Sequence, residues 1–156
     1  MPKGPDPREC SIADTLHLVG ERWTLLAIRE LMLGVRRFDG IVRSTGAPRD
    51  ILTVRLRKLE AVGIVRREQY SDHPPRYEYH LTPAGKNLTD VLLSLMKWGD
   101  QHLNAGDPPV RWRHTCGEVL DPVLVCRHCG EPAGSGLHSP TGRGALVSHT
   151  EPVATS

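Results

Sequence analysis

The greatest chemical capacity of this 156-residue chain lies in its four cysteines, Cys10, Cys116, Cys126 and Cys129. Three of them belong to two short turns of similar pattern, His114-Thr115-Cys116-Gly117 and Cys126-Arg127-His128-Cys129-Gly130, with nine residues between Cys116 and Cys126. A glycine after a cysteine lets backbone amides turn toward the sulfur, and a Cys-x-x-Cys spacing sets two thiolates on one ion. The pattern predicts a structural zinc ion, Zn2+, held by His114, Cys116, Cys126 and Cys129. His128 is the rival fourth ligand, but it lies inside the second turn and would have to fold back on itself. A zinc ion with four protein ligands keeps no open position for a substrate. The alternatives are a redox-active Cys126 and Cys129 pair, as in a thiol oxidoreductase, and unligated cysteines in a flexible tail. A thioredoxin-type dithiol opens a helix, whereas Gly130-Glu131-Pro132 stops one at once. Cys10 stands alone, just before a predicted helix whose first amides favour a reactive thiolate, so it is a candidate redox sensor. A small buried residue packed on a neighbouring helix is the competing role for Cys10.

The second concentration of chemistry is positive charge. The chain carries a formal net charge of only +2, yet Arg49, Arg55, Arg57, Lys58, Arg66 and Arg67 stand against only Asp50 and Glu60 in residues 49–67. A basic element embedded in a nearly neutral protein is the electrostatic footprint of a nucleic-acid partner. The chain shows no Ser/His/Asp order, phosphate-binding loop or paired acidic helix motif, and its eight histidines are mostly scattered through loops and the tail, so it is read as no enzyme.

These residues need elements to position them. Ser11 is expected to cap a helix over residues 12–19, with Ile12, Leu16 and Val19 on one face, ended by Gly20. A broader apolar helix follows over residues 22–33, and a short one over 37–44 carries Phe38, Ile41 and Val42. Pro48 is expected inside the first turn of a helix reaching about residue 62, with Leu52, Leu56 and Leu59 as its inward stripe. Two short helices joined by the turn at Thr45-Gly46 make a helix-turn-helix. The period then becomes extended, in strands over residues 64–70 and 76–81 around a tip stiffened by Pro74 and Pro75. Thr82 caps, and Pro83 opens, a long last helix to about residue 103. The predicted fold is mainly α with a small β-hairpin wing: a winged helix-turn-helix, followed by a short zinc-ribbon-like segment.

With the leucines of the third helical stripe turned inward, 100° per residue puts Asp50, Val54 and Arg57 on the opposite side, flanked by Arg49, Thr53 and Lys58. That face suits the major groove, where arginines reach guanine edges, Thr53 meets a phosphate or thymine methyl, and the helix N-terminus favours a phosphate. Arg37 and Arg55 complete the candidate DNA contacts, and Arg76 on the wing suits the minor groove or backbone. Along the last helix Leu88, Val91, Leu92, Leu95, Met96 and Trp98 form a stripe wider than one small domain covers.

The chain resembles the HxlR family of winged-helix regulators. The residues that carry the resemblance are Cys10-Ser11-Ile12-Ala13, Gly20-Glu21-Arg22-Trp23-Thr24-Leu25-Leu26, Arg29-Glu30-Leu31, Gly34-Val35-Arg36-Arg37-Phe38, the run from Leu52 to Glu60, Gly63-Ile64-Val65, Arg76-Tyr77-Glu78-Tyr79 and Leu81-Thr82-Pro83-Ala84-Gly85. The resemblance implies a DNA-binding transcription regulator acting as a homodimer on a pseudo-palindromic operator in double-stranded DNA; the sign of its regulation does not follow from the resemblance, and a repressor is the leading expectation. It further implies a dimer joined through the first and last helices, at Ile12, Leu16, Leu88, Val91, Leu92, Leu95 and Trp98. Several family members use a cysteine at the position of Cys10 to detect oxidants, so oxidation or an unidentified small-molecule effector is the expected switch. A zinc-containing protein-interaction module, with the winged helix as a docking scaffold, is the alternative.

The expected organisation is a flexible leader at residues 1–9, the DNA-binding and dimerisation domain at 10–105, the zinc-knuckle segment at 106–132 and a disordered tail at 133–156. The helix-breaking start, Met1-Pro2-Lys3-Gly4-Pro5-Asp6-Pro7, lacks the apolar core of a signal peptide, and no membrane-spanning stretch follows. The expected location is cytoplasmic, where spaced cysteines more often bind metal or sense oxidants than form structural disulfides.

Overall fold

The computed structural model describes residues 9–104, 107–134 and 137. The elements run α1 (Ser11–Val19), α2 (Arg22–Met32), α3 (Phe38–Thr45), α4 (Arg49–Ala61), β1 (Val65–Asp72), β2 (Pro75–Leu81) and α5 (Pro83–His102). This is the winged helix-turn-helix expected from the sequence. The leader through residue 8 and most of the expected tail lie outside the described residues.

The core is small and aliphatic. Ala27, Ile28 and Leu31 of α2, Ile41 of α3, Ala47 of the turn, Leu52, Leu56 and Leu59 of α4, and Val65 of β1 bury almost all of their surface together. The spacing of Leu52, Leu56 and Leu59 along α4 aligns three leucines on one stripe, and that stripe fixes which side faces out. Between α3 and α4 the chain reverses at Gly46, whose φ of 72° lies in the left-handed region open to glycine. Thr45 pins this turn: its hydroxyl donates to the Ile41 carbonyl at 2.7 Å and accepts from the Ala47 amide at 3.1 Å.

Two caps differ from expectation. Cys10, not Ser11, is the N-cap residue of α1, and Ser11 already lies in the helix. Pro48 is the N-cap of α4 rather than part of its first turn; its extended ψ of 137° leads into the helix that Arg49 begins. At α5 the expectation holds, with Pro83 in the first turn and the Thr82 hydroxyl accepting from the Gly85 amide at 3.2 Å. The same hydroxyl donates to the Gly63 carbonyl at 2.6 Å, so one side chain ties the start of α5 to the end of α4.

The wing is longer than the sequence suggested. Strands β1 and β2 pair antiparallel from Val65–Leu81 to Asp72–Pro75, with an irregularity in register between Gln69 and Ser71 that leaves Tyr70 without a partner. Hence Ser71 and Asp72, expected in the tip, are strand residues, and the reversal is confined to His73 and Pro74, which are joined by a cis peptide bond. The backbone of β2 at the wing's base is also held by the residues before α3. The Tyr79 amide donates to the Arg36 carbonyl at 2.8 Å, and Arg37 forms a bridge with Glu78.

Helix α1 stands apart from this packing. Only Leu18 and Val19 of α1 join the core, and Ser11 through His17 are exposed, including Ile12 at 70% and Leu16 at 55%. Beyond α5 the chain forms two small hairpins, closed by the bridges Arg113–Val119 and Val125–Pro132. No helix among the described residues is long and apolar enough to cross a membrane.

Candidate DNA interface

The exposed side of α4 carries Arg49, Asp50, Val54 and Arg57, opposite the three buried leucines. Val54, an apolar residue, is 57% exposed in the middle of that face. Arg49 is preorganised by its neighbour helix: its guanidinium donates to Asp39 at 2.7 Å and lies 4.9 Å from the Phe38 ring centre. Thr53, half-buried, donates its hydroxyl back to the Arg49 carbonyl at 2.8 Å, which leaves its methyl group and the oxygen's lone pairs for an outside partner.

Two of the expected contacts are directed elsewhere. Arg55 turns toward the start of α2, where it pairs with Glu21 at 3.0 Å and keeps only 21% of its side chain exposed. It lies one residue from the buried Leu56, on the flank of the inward stripe, so its charge supports the packing of α4 rather than its outer face. Lys58 reaches the other way, donating to the His17 carbonyl at the end of α1 at 2.6 Å. A carbonyl in the last turn of a helix is a natural partner for an ammonium group.

Arg37 and Arg76 converge on a second feature that the sequence did not reveal. Between the N-terminal end of α3 and the wing lies a polar groove of about 970 Å³ into which Arg36, Arg37, Arg43 and Arg76 all contribute. Arg37 is held by Glu78 at 3.0 Å and stacks 4.6 Å from the ring centre of Tyr70, the residue that the wing's irregularity leaves unpaired. The hydrogen bond to Glu78 and the field of Tyr70 reinforce the positive charge of Arg37. Arg36, Arg43, Tyr70 and Tyr77 were missed by the sequence reading. The Arg36-Arg37 pair was visible, but only the folding of the wing against α3 brings Arg43 and the tyrosines beside it. Elsewhere on the wing Arg66 donates to Glu68 at 2.5 Å and holds that carboxyl below the usual carboxylate range. Half-burial pushes the Tyr79 phenol up, keeping it neutral at the base of the wing.

The apolar stripe of α5 divides in two. Leu88 and Leu92, expected at a dimer interface, pack against the monomer's own core. Val91, Leu95 and Trp98 project away from it and remain 44%, 51% and 56% exposed.

The cysteine-bearing donors form two pairs at the tips of the two C-terminal hairpins. His114 Nδ1 lies 3.3 Å from Cys116 Sγ. Cys126 is hydrogen-bonded by the backbone amides of His128 and Cys129 and by the Cys129 side chain, which together lower its thiol below the ordinary range. Gly117 and Gly130 follow the two turns with φ of 95° and 77°. Among the described residues, no three histidine, cysteine or acidic side chains gather closely enough to hold one ion. Cys10 is half-buried at the start of α1 and, like the other three cysteines, is a free thiol.

This arrangement of helices, turn and wing is that of a known family, described as the HxlR-like helix-turn-helix, whose model matches residues 18–107. The chain belongs to the HxlR-like family. It is 51% identical over 123 residues to the HTH-type transcriptional regulator Rv3095 of Mycobacterium tuberculosis, a match that spans 78% of each chain. It is 38% identical over 95 residues to the HTH-type regulator sll1512 of Synechocystis, covering 60% of this chain and 70% of that one. Among solved structures, PA1607, described as a candidate transcription factor, superposes with a TM-score of 0.71 at 28% identity, covering 85% of this chain and 96% of its own. The redox regulator HypR in its reduced form superposes at 0.53 with 33% identity, covering 61% of this chain and 97% of its own. The protein is therefore a DNA-binding transcription regulator of the helix-turn-helix class.

Proposed function

We propose that this HxlR-like protein is a cytoplasmic homodimeric repressor that reads a pseudo-palindromic operator with α4 in the major groove. The observation that carries the reading is the two-sided character of α4, in which three fully buried leucines lock an outer face of Arg49, Asp50, Val54 and Arg57 toward solvent. Among the described residues Arg57 makes no ion pair, unlike Arg49, and a guanidinium donates in parallel to the two acceptors of a guanine edge. Thr53 and Val54 offer methyl groups to thymine. The arginine groove beside the wing, with Arg76 at its rim, takes the sugar-phosphate backbone.

Titration of a fluorescent duplex from the protein's own upstream region tests this. Arg57→Ala is expected to weaken specific binding about 5- to 150-fold, the worth of one bidentate base contact of about 1–3 kcal/mol. Arg76→Ala should weaken binding equally on operator and random duplexes and flatten the salt dependence. Affinity that does not fall as salt rises would rule out a phosphate-contacting interface.

Oxidation of Cys10 is the switch supported by its place at the start of α1, the helix whose exposed face is available to a partner, and by the likeness to the redox regulator HypR. Zinc is proposed to join the two hairpin tips through His114, Cys116, Cys126 and Cys129. In its favour, residues 110–132 bury little apolar surface of their own, yet form two ordered turns that present donors. Metal analysis of the purified protein should find one zinc per chain, lost in Cys126→Ser and Cys129→Ser; absence of zinc from the unaltered protein would discard the site.

A further inference from the structure

A second cavity, of about 910 Å³, opens between α2 and α5. Its walls are mainly apolar, with Leu25, Leu26 and Met32 from α2 facing Leu92, Leu93 and Met96 from α5. Its size lies within the range of small-molecule sites, which are apolar cavities with a few fixed polar groups. The most buried polar group of the lining is Glu30, a carboxylate only 4% exposed, and Asp100 of α5 adds a second, more exposed carboxylate. Glu30 accepts two hydrogen bonds from Arg29, at 2.8 and 2.6 Å, and both end on Oε1. The second carboxylate oxygen retains its capacity to accept from a ligand. The arginines at this site, Arg22 and Arg29, are more exposed than Glu30, so the inner polar group is an acceptor and the cations belong to the rim.

The cavity also has a cover. Pro109, Val110 and Trp112, from the segment that follows α5, line it together with the helices. That segment is pinned back onto α5 by Lys97, whose ammonium pairs with Asp121 at 2.6 Å and donates to the Pro122 carbonyl at 2.8 Å. The Leu120 amide in turn donates to the Trp112 carbonyl at 2.7 Å, tying the cover to the pinned residues.

We propose that this cavity binds a small effector, a compact apolar molecule with one amine or hydroxyl donor directed at Glu30. The site is placed to affect DNA binding. Its lining includes Ser44 and Thr45, and Thr45 is the residue that staples the turn between α3 and α4. A ligand bound with different affinity when that turn shifts would move the two-state balance of the reading helix. This consequence rests on the DNA-binding reading above; binding to the cavity does not.

The test uses the full-length protein without DNA. Nile red, a neutral apolar dye, is loaded onto the protein and displaced by 4-phenylbutylamine, 4-phenylbutanol or 4-phenylbutyrate. The amine is expected to displace the dye at one tenth or less of the concentration needed for the carboxylate, with the alcohol between them. Glu30→Gln should remove the amine's preference, and Trp112→Ala, a change on the half-exposed cover, should weaken dye binding about tenfold with folding intact. Equal displacement by all three probes, or dye binding indifferent to Trp112→Ala, overturns the proposal. So does failure of the unaltered protein to bind dye when a Leu16→Glu/Trp98→Glu variant binds it, because the cavity is then covered by a second copy of the chain. A separate titration of operator DNA at saturating amine reads the effect on α4: an unchanged affinity overturns the regulatory consequence alone, and a protein that binds dye but no DNA overturns the DNA reading alone.

Discussion

Leu16→Glu combined with Trp98→Glu is expected to convert the proposed dimer to monomers, to lower operator affinity more than a hundredfold, and to leave the fold of each chain intact. The three parts of this outcome have one cause. In the isolated chain both side chains are more than half exposed, so a carboxylate at either position meets water and costs the monomer little. Within an interface each large apolar side chain contributes about 1.5–3 kcal/mol on burial, and a charge in its place must also be desolvated. Two linked reading heads exceed one by about 10² to 10⁴ in affinity through effective concentration alone. Sedimentation velocity gives the mass, far-ultraviolet circular dichroism the fold, and fluorescence anisotropy the affinity. A variant that remains dimeric would remove α1 and the outer stripe of α5 from the interface. The helix α1 makes the argument specific, since a nine-residue helix with only Leu18 and Val19 in the core is marginal on its own and needs a second surface to lie against.

Much of this architecture could be read from the residues in order. The leucine stripe of α4, the change of period after Gly63 and the Thr82-Pro83 start of α5 each specify an element through local spacing, and each stands within one or two residues of its expected place. What the sequence concealed depends on contacts between elements. Periodicity places Arg55 on a flank of α4, but only the approach of α2 brings Glu21 to it. The stripe on α5 reads as one surface because Leu88, Leu92, Val91 and Leu95 share a hydrophobic character; the core claims the first two, and the others remain exposed. Ser11 and Cys10 are adjacent small polar residues before an apolar run, and spacing alone does not decide which one caps. The groove of Arg36, Arg37, Arg43 and Arg76 depends on the docking of a hairpin whose irregular register frees Tyr70, a feature that strand propensity does not encode. The second cavity was invisible for the same reason, since its lining is drawn from α2, α3, α5 and the segment beyond.

Two glycines on α5 should respond to the same substitution with opposite sign. In a helix interior alanine is favoured over glycine by about 0.5–1 kcal/mol, because it restricts the unfolded chain and loses less on folding. At Gly99 an added Cβ meets nothing within 4 Å, so Gly99→Ala is expected to realise most of that gain. At Gly85, which is buried in the first turn, the added Cβ would lie 2.2 Å from the Ile64 carbonyl oxygen and 3.1 Å from Leu81 Cδ2. The carbonyl belongs to backbone that cannot yield freely, because it accepts from the Thr82 amide at 3.1 Å and shares with the Gly63 carbonyl the single proton of the Thr82 hydroxyl, 3.1 Å away. Moving α5 away would therefore break its own N-cap and lift the helix from the base of the wing. Overpacking of this kind costs about 1–3 kcal/mol or more, which outweighs the helical preference for alanine. Gly85→Ala should accordingly lower the denaturation midpoint at fixed protein concentration while Gly99→Ala raises it, and the wing's position over the DNA should suffer with the first change and not the second. If both substitutions stabilise, the close approach of α5 to Ile64 is not what holds the wing against the helical domain.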